Sequence, residues 1–205
     1  MIQLVLATHN RHKCEELLKI LQAELGNSIE VLTLDDITPA IGEIEETGTT
    51  LEENALIKAR TVHEITKLPT VADDTGLEVA ALDGAPGVYS ARYSRENATY
   101  ASNVSKLLTE MSGIKNRSAK FSTVIAYIDD QNDKHLFRGE IDGIIGTEPR
   151  GSNGFGYDPI FIPTEKTSGR SFAEMTDEEK NAISHRGRAL RAFIRYLGGT
   201  TNFAT

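Results

Sequence analysis

Residues 2–26 read IQLVLATHNRHKCEELLKILQAELG, and the change of period inside this stretch decides the fold. Ile2 to Ala7 is a run of β-branched and aliphatic residues, the pattern of a buried strand. After Thr8, His9 and Asn10 the spacing turns helical. Cys14, Leu17, Leu18, Leu21 and Leu25 share one face, while Glu15, Glu16, Lys19 and Gln22 lie off it. Gly26 follows as a C-cap, and Ile29 to Leu34 reads as a second strand. A strand feeding a helix that feeds a strand predicts an α/β sheet.

Working outward, Asp35 to Thr50 is polar, aperiodic and rich in acids, so it reads as a loop. Thr50 and Glu53 form a capping box that opens a helix from Leu51 to Thr66. Leu51, Ala55, Ala59, Val62 and Ile65 share a face of that helix, and Lys58 falls in its middle. A lysine there needs an anionic partner or room to snorkel, because an unpaired buried ammonium is costly. Thr70 to Ala72 predicts a short strand ending at Asp73 and Asp74, with Gly76 turning the chain into another strand from Leu77 to Leu82. Asp83 to Gly87 reads as a loop and Asn97 to Met111 as a helix. Lys120 to Asp129 and Lys134 to Ile145 form a long hairpin. Gly146 to Pro163 is a shaped, glycine-rich loop before a short strand at Ile160 to Ile162. Thr176 and Glu179 cap one final helix whose stripe holds Ile183, Leu190, Ile194 and Leu197, flanked by Lys180 and Arg186. The expected class is α/β with a mixed sheet.

Composition narrows the function. The chain has 205 residues, 39% hydrophobic and 25% charged, which allows one generous domain or two closely packed lobes. Thirty acids against 22 Lys and Arg give a net charge of −8, which argues against a broad grip on nucleic acid. Cys14 is the only cysteine, so an intramolecular disulfide and a cysteine zinc cluster are excluded and a reducing compartment is expected. The opening apolar run is too short for a secretory core, and no stretch approaches the roughly 18 apolar residues of a membrane span. A cytoplasmic protein without a membrane partner is expected.

Four constellations could carry chemistry. The turn Thr8-His9-Asn10-Arg11-His12-Lys13 sits at a helix N-terminus, where unpaired N–H groups and the dipole favour phosphate; the plainer reading is that Asn10 caps the helix and Lys13 is solvated. It lacks a Walker-type glycine loop. Glu43, Glu45 and Glu46, with Asp73 and Asp74, supply hard oxygen ligands for Mg2+ and a base for water, or are solvated turn formers. Gly154-Phe155-Gly156-Tyr157-Asp158-Pro159 offers backbone access, rings and a carboxylate to a planar base, or a tight turn with core-facing rings. Lys180, Ser184, His185 and Arg186 supply donors, which suit a six-keto purine and oppose the six-amino group of adenine; taken singly they are also ordinary helix residues.

Together these segments resemble the inosine triphosphate pyrophosphatase family, across nearly the whole chain. The likeness also rests on Glu46-Thr47-Gly48, Glu53-Asn54-Ala55, Lys58-Ala59-Arg60, Ala72-Asp73-Asp74-Thr75-Gly76-Leu77, Gly84 to Arg92 and Phe172-Ala173-Glu174-Met175. The resemblance implies a two-lobed α/β fold spanning 1–205, a long mixed β-sheet flanked by helices, a nucleotide cleft between the lobes, and a homodimer. It implies hydrolysis of ITP, dITP and XTP to the monophosphate and pyrophosphate, with water attacking the α-phosphorus and magnesium present. By resemblance, Thr8 to Lys13 (Thr8, His9, Asn10, Arg11, His12 and Lys13) and Lys58 hold phosphates, Glu46 and Asp74 contact the metal, and Asp74 is also the proton acceptor, with Thr75 touching substrate. Phe155, Gly156, Tyr157 and Asp158 frame the base, and Lys180, His185 and Arg186 complete its recognition; Arg92 is a weaker carry-over. A Maf-type pyrophosphatase is the rival enzyme, disfavoured by Thr8-His9-Asn10 and Ser184-His185-Arg186, and a non-catalytic nucleotide-binding regulator is disfavoured by Glu46 and Asp74.

Overall fold

The computed structural model describes residues 2–95, 97–165 and 169–200. Strand β1 (Ile2–Leu6) leads through the expected turn into α1 (Arg11–Leu25). Asn10 is the N-cap, its side chain accepting from the Lys13 N–H, and the Gly26 N–H closes the helix on the Gln22 carbonyl at φ 52°. The stripe is centred on Leu17, Ile20 and Leu21, and Glu16, expected off it, is buried. Strand β2 (Ile29–Leu32) is shorter than expected, because Leu34–Asp36 winds into a 3-10 turn whose Thr33 and Asp36 cap each other.

Helix α2 (Leu51–Thr66) starts at the predicted capping box of Thr50 and Glu53. Its buried face holds Leu51, Ala55, Ala59 and Val62 as read, but also Asn54, Lys58 and His63. Ile65 departs from expectation: it lies in the last turn and is 48% exposed, since burial depends on what lies opposite and angular periodicity does not report that.

Strand β3 (Thr70–Val79) is one continuous element, where two strands broken at Gly76 were expected. Glycine turns a chain only where the backbone needs its special φ, and Gly76 stays in the strand conformation. The predicted strand to Leu82 ends at Val79, and Ala80–Leu82 forms a 3-10 turn. Strand β4 (Pro86–Gly87), read as loop, pairs antiparallel with Leu77 and Glu78 of β3. Helix α3 (Tyr100–Glu110) starts later than read, capped by Thr99. The hairpin is β5 (Ser118–Ile128) with β6 (Lys134–Ile145), and β7 (Phe161–Pro163) pairs antiparallel with the end of β6. The single final helix is in fact α4 (Asp177–Ile183) and α5 (His185–Thr200), interrupted at Ser184. Ser184 has an extended backbone at φ −66°, ψ 156°, and serine is favoured just before a helix start because its hydroxyl serves the first free N–H groups.

The strand order is β2-β1-β3-β5-β6-β7, with β1 parallel to both β2 and β3. Residues cluster into two units: 1–74, 123–139 and 187–205 form the first, and 75–122 and 140–186 the second. Each has its own core. In the first, Leu4, Leu6 and Val71 of the sheet meet Leu17 and Leu21 of α1 and Leu190 and Phe193 of α5. In the second, Leu77, Leu107, Ile141 and Ile160 surround an aromatic group in which Phe121 lies 4.6 Å from Phe161 and Phe161 lies 5.2 Å from Phe172.

The hairpin tip in the first unit predicts a pH-dependent stability. Burial pushes the Asp129 carboxyl up, but His135 and the backbone N–H groups of Asp133 and Gln131 more than offset this and hold it below the ordinary value of 3.8. A depressed carboxylate contributes stability that is present above the unfolded pKa and lost as pH falls through the folded one. Thermal midpoints of the wild type and Asp129→Asn should therefore differ by a constant amount at neutral pH and converge below about pH 4; a gap that widened in acid would contradict this.

Candidate active site

Strand β3 carries Asp73 and Asp74 on successive residues, so the pleat sends their side chains to opposite faces. Each finds a lysine from a different helix. Asp73, fully buried, pairs with Lys13 of the first turn of α1 at 3.1 Å. Asp74 pairs with Lys58 of α2 at 3.3 Å. Lys58 is the inward lysine read from the helix period, and its Nζ also donates to Glu46 Oε1 at 2.5 Å. Glu46 and Asp74, 28 positions apart in the chain, thus reach the same ammonium.

The acidic loop is held to α2 by side chains that stand in for regular backbone pairing. The Gly48 N–H donates to Asn54 Oδ1 at 2.8 Å, and a Cβ at Gly48 would sit 2.6 Å from that oxygen, so only glycine permits the approach. Glu53 Oε2 accepts from the N–H groups of Thr49 and Thr50. His9 reaches the same loop through its ring, 3.0 Å from the Ile41 carbonyl. Glu46 is therefore presented from a braced loop, two residues before Gly48.

Charge is shared unequally here. Burial pulls the Lys58 ammonium down, but Asp74, Glu46 and Asp73 outweigh it and raise its pKa above the ordinary lysine value. Burial pushes the Asp74 carboxyl up; Lys58 and Lys13 pull it down without cancelling that, and Glu46 and Asp73 add to the rise. One ammonium serves two carboxylates and lies closer to Glu46, so it offsets only part of the cost of burying Asp74. Asp74 Oδ2 is buried and has no hydrogen-bond partner among the described residues. A carboxylate oxygen in that state fits a hard divalent cation. No group of three or more His, Cys, Asp and Glu side chains among the described residues could hold one unaided, so the remaining ligands would be phosphate oxygens and water.

In the phosphate turn, Asn10 does act as the cap, its Oδ1 accepting from the Lys13 N–H at 3.2 Å, and Thr8 Oγ1 accepts from the Asn10 N–H. The turn is fixed by its own side chains. Lys13 is not the solvated residue of the plainer reading, since it faces Asp73. Arg11 and His12 lie exposed on the first turn of α1, Arg11 pairing with Glu15.

The second unit gathers the residues that the resemblance assigns to base recognition. Asp158 and Lys180 form an ion pair at 2.8 Å with side chains only 5% and 6% exposed. Asp158 Oδ2 also accepts from the Phe155 N–H at 2.8 Å, which closes the loop on itself. Gly154 allows this: its φ is +70°, and a Cβ there would lie 2.1 Å from that same oxygen. Lys180 Nζ stands 5.0 Å and Arg186 Cζ 5.4 Å from the centre of the Phe155 ring, within cation–π range. Arg186, fully buried, donates to Thr75 Oγ1 at 3.1 Å. His185 stacks on Phe121 at 4.5 Å with the rings 9° apart. His185 and Arg186 open α5 just beyond the break at Ser184 and are both buried; on one uninterrupted helix Arg186 reads as a flanking residue.

One feature escaped the sequence reading. Asp73 was paired there only with the other acids, whereas it faces Lys13; the signal was the strand alternation, which must send one of two adjacent acids to each face. The Tyr157 ring lies in the core of the second unit, as the alternative of a tight turn with core-facing rings expects, and its hydroxyl donates to the Ser90 carbonyl at 2.9 Å. Arg92 lies with its guanidinium 5.3 Å from the centre of the Tyr89 ring.

The fold is mixed α/β, with two adjacent carboxylates on a central strand, each paired with a lysine from a different helix. The chain belongs to the Ham1 family, whose model matches residues 4–196. It is 51% identical over 198 residues to the dITP/XTP pyrophosphatase of Porphyromonas gingivalis, covering 96% of this chain and 98% of that one. It is 48% identical over 200 residues to the dITP/XTP pyrophosphatase of Geobacter sulfurreducens, covering 97% and 98%. Among solved structures it is similar to a HAM1 protein from Coxiella burnetii, with a TM-score of 0.86 and 41% identity over 97% of this chain and all of that one.

Proposed function

We infer that this protein is a nucleoside triphosphate pyrophosphatase that hydrolyses dITP, XTP and ITP to the monophosphate and pyrophosphate. The observation that carries the reading is the convergence of Glu46 and Asp74 on Lys58, beside a strand whose neighbouring acid holds Lys13. Relatives that cover almost the full chain at about half identity bear the same activity in their names.

The cast follows from charge. A triphosphate brings about four negative charges to a protein of net charge −8, so its oxygens need local cations. Lys13 and Lys58 supply them, and the N–H groups of the Thr8 to Lys13 turn not taken by the Thr8 and Asn10 side chains donate to the same oxygens. Glu46 and Asp74 would hold Mg2+, which when bound neutralises phosphate oxygens and polarises the phosphorus. Asp74 orients a water and takes its proton while the water oxygen bonds to the α-phosphorus. The bond from that phosphorus to the bridging oxygen breaks, and the pyrophosphate leaves with its charge spread over Lys13 and Lys58. His9, Asn10, Arg11 and His12 shape the turn, and Thr75 follows Asp74 as a substrate contact.

Base choice rests on the second unit. Phe155, Gly156 and Asp158 frame the ring, and Lys180, His185 and Arg186 present donors. A six-keto oxygen accepts from them, whereas the adenine amino group would leave N–H facing N–H, a mismatch that buried polar sites reject strongly. The reading includes a cytoplasmic homodimer, for which light scattering should give about twice the 22.4 kDa chain mass.

The test is a panel of ITP, dITP, XTP, ATP, GTP and thymidine triphosphate with Mg2+, scoring orthophosphate and pyrophosphate separately. Pyrophosphate from the six-keto, non-standard purines with ATP nearly inert is expected. Equal turnover of thymidine triphosphate, or orthophosphate as the product, would overturn the reading.

A further inference from the structure

The loop that frames the base has little regular backbone pairing. Gly154 and Gly156 both adopt positive φ, and two local bonds, Asp158 N–H to the Phe155 carbonyl and Phe155 N–H to Asp158, close the turn on itself. The Asp158 carbonyl accepts from the Ala173 N–H, and side chains complete the loop's placement in the second unit. One anchor is the ion pair of Asp158 with Lys180. A second lies on the residue between Phe155 and Asp158: the Tyr157 hydroxyl donates to the carbonyl of Ser90, 67 positions away, at 2.9 Å.

Ser90 is itself fixed from several sides. Its carbonyl also accepts from Asn103 Nδ2 at 3.3 Å. Its Oγ accepts from the Leu77 N–H at 2.9 Å and donates to the Gly87 carbonyl at 2.6 Å. Asn103, buried on α3, binds the Ala91 carbonyl at 2.9 Å and accepts from the Ser94 N–H at 2.8 Å, so one side chain ties down both ends of the 91–94 segment. Leu77 lies two residues beyond Thr75 on β3. The chain of contacts runs from the base loop through Tyr157 and Ser90 to the strand that carries Thr75 and, next to it, Asp74. Burial pushes the Tyr157 hydroxyl well above the ordinary tyrosine value, so it remains a donor at any working pH.

We propose that the Tyr157 hydroxyl, Ser90 and Asn103 are positioning residues for base discrimination: they touch no substrate, and they set where Phe155 and Asp158 stand relative to the β3 strand. A hydroxyl kept only for packing would leave substrate choice untouched when removed. One that registers the base loop would change the base-dependent part of binding and spare the phosphate-dependent part. The proposal rests on the pyrophosphatase reading above.

The variant is Tyr157→Phe, which keeps the ring and removes the hydroxyl. Loss of one buried hydrogen bond that seats the loop predicts a rise in KM for ITP of about five- to tenfold. Selectivity for ITP over ATP should shrink by a similar factor, and kcat should fall by less than about twofold. The inhibition constant of inorganic pyrophosphate, which has no base, should stay at the wild-type value. Asn103→Ala should move the same quantities in the same direction. A wild type that failed to hydrolyse ITP would defeat the functional reading itself. A wild type that hydrolysed ITP, with Tyr157→Phe matching it in KM and selectivity, or with pyrophosphate inhibition weakened equally, would overturn the positioning role alone.

Discussion

Asp74→Asn is expected to lower kcat about a thousandfold while changing the affinity for substrate by less than about threefold. The amide fills the same space on β3 but cannot take a proton from water, and a thousandfold corresponds to about 4 kcal/mol of barrier. On the proposed reading Lys13, Lys58 and the α1 turn hold the phosphates and the amide oxygen can still face the metal, so the loss should appear in turnover. Lys58 keeps Glu46 as its partner, so the fold should survive. Single-turnover rates and a binding titration with a non-hydrolysable analogue separate the two quantities. A variant with normal single-turnover rate, or one whose defect lay wholly in affinity, would remove Asp74 from the chemistry.

Lys180→Ala should have the largest effect on stability. Its ammonium is the buried counter-charge of Asp158, and deleting one member of such a pair leaves the other charge uncompensated, at a cost of about 3–5 kcal/mol. For a chain of this size that corresponds to a fall in Tm of roughly 10 °C. Removing the acid as well, in Lys180→Ala with Asp158→Asn, should recover a substantial part of the loss, because no isolated charge remains. If Lys180 donates to the base as proposed, the double variant should still fail to discriminate ITP from ATP. A single variant that melted like the wild type would mean that the pair contributes nothing to the second unit.

The helices were legible because capping and period agree locally. Thr50 with Glu53 fixed the start of α2, and the period alone put Lys58 on its buried face. The errors arose where conformation depends on distant partners. Gly76 reads as a turn in isolation, yet β3 continues through it because β4 pairs with the residues beyond. The apolar pattern after Thr176 runs unbroken in sequence, and the interruption at Ser184 carries no periodic signal. The individual site residues were readable as chemistry, two acids and several cations. That Asp73 answers Lys13 while Asp74 and Glu46 share Lys58 required the strand's alternation and three separate elements to be assembled. For the glycine-rich loop the sequence left open whether its rings face a ligand or the core, and the place of the Tyr157 ring in the core became visible only with the fold assembled.

The most direct measurement of the central claim is the position of the oxygen that enters during hydrolysis. Turnover of ITP in water enriched with oxygen-18, followed by mass spectrometry of both products, reports which phosphorus the water attacks. The arrangement of Asp74 beside Lys58 and Glu46, with pyrophosphate as the leaving group, predicts the label in the nucleoside monophosphate and none in the pyrophosphate. Label in the pyrophosphate would place the attack on the β-phosphorus and contradict the account.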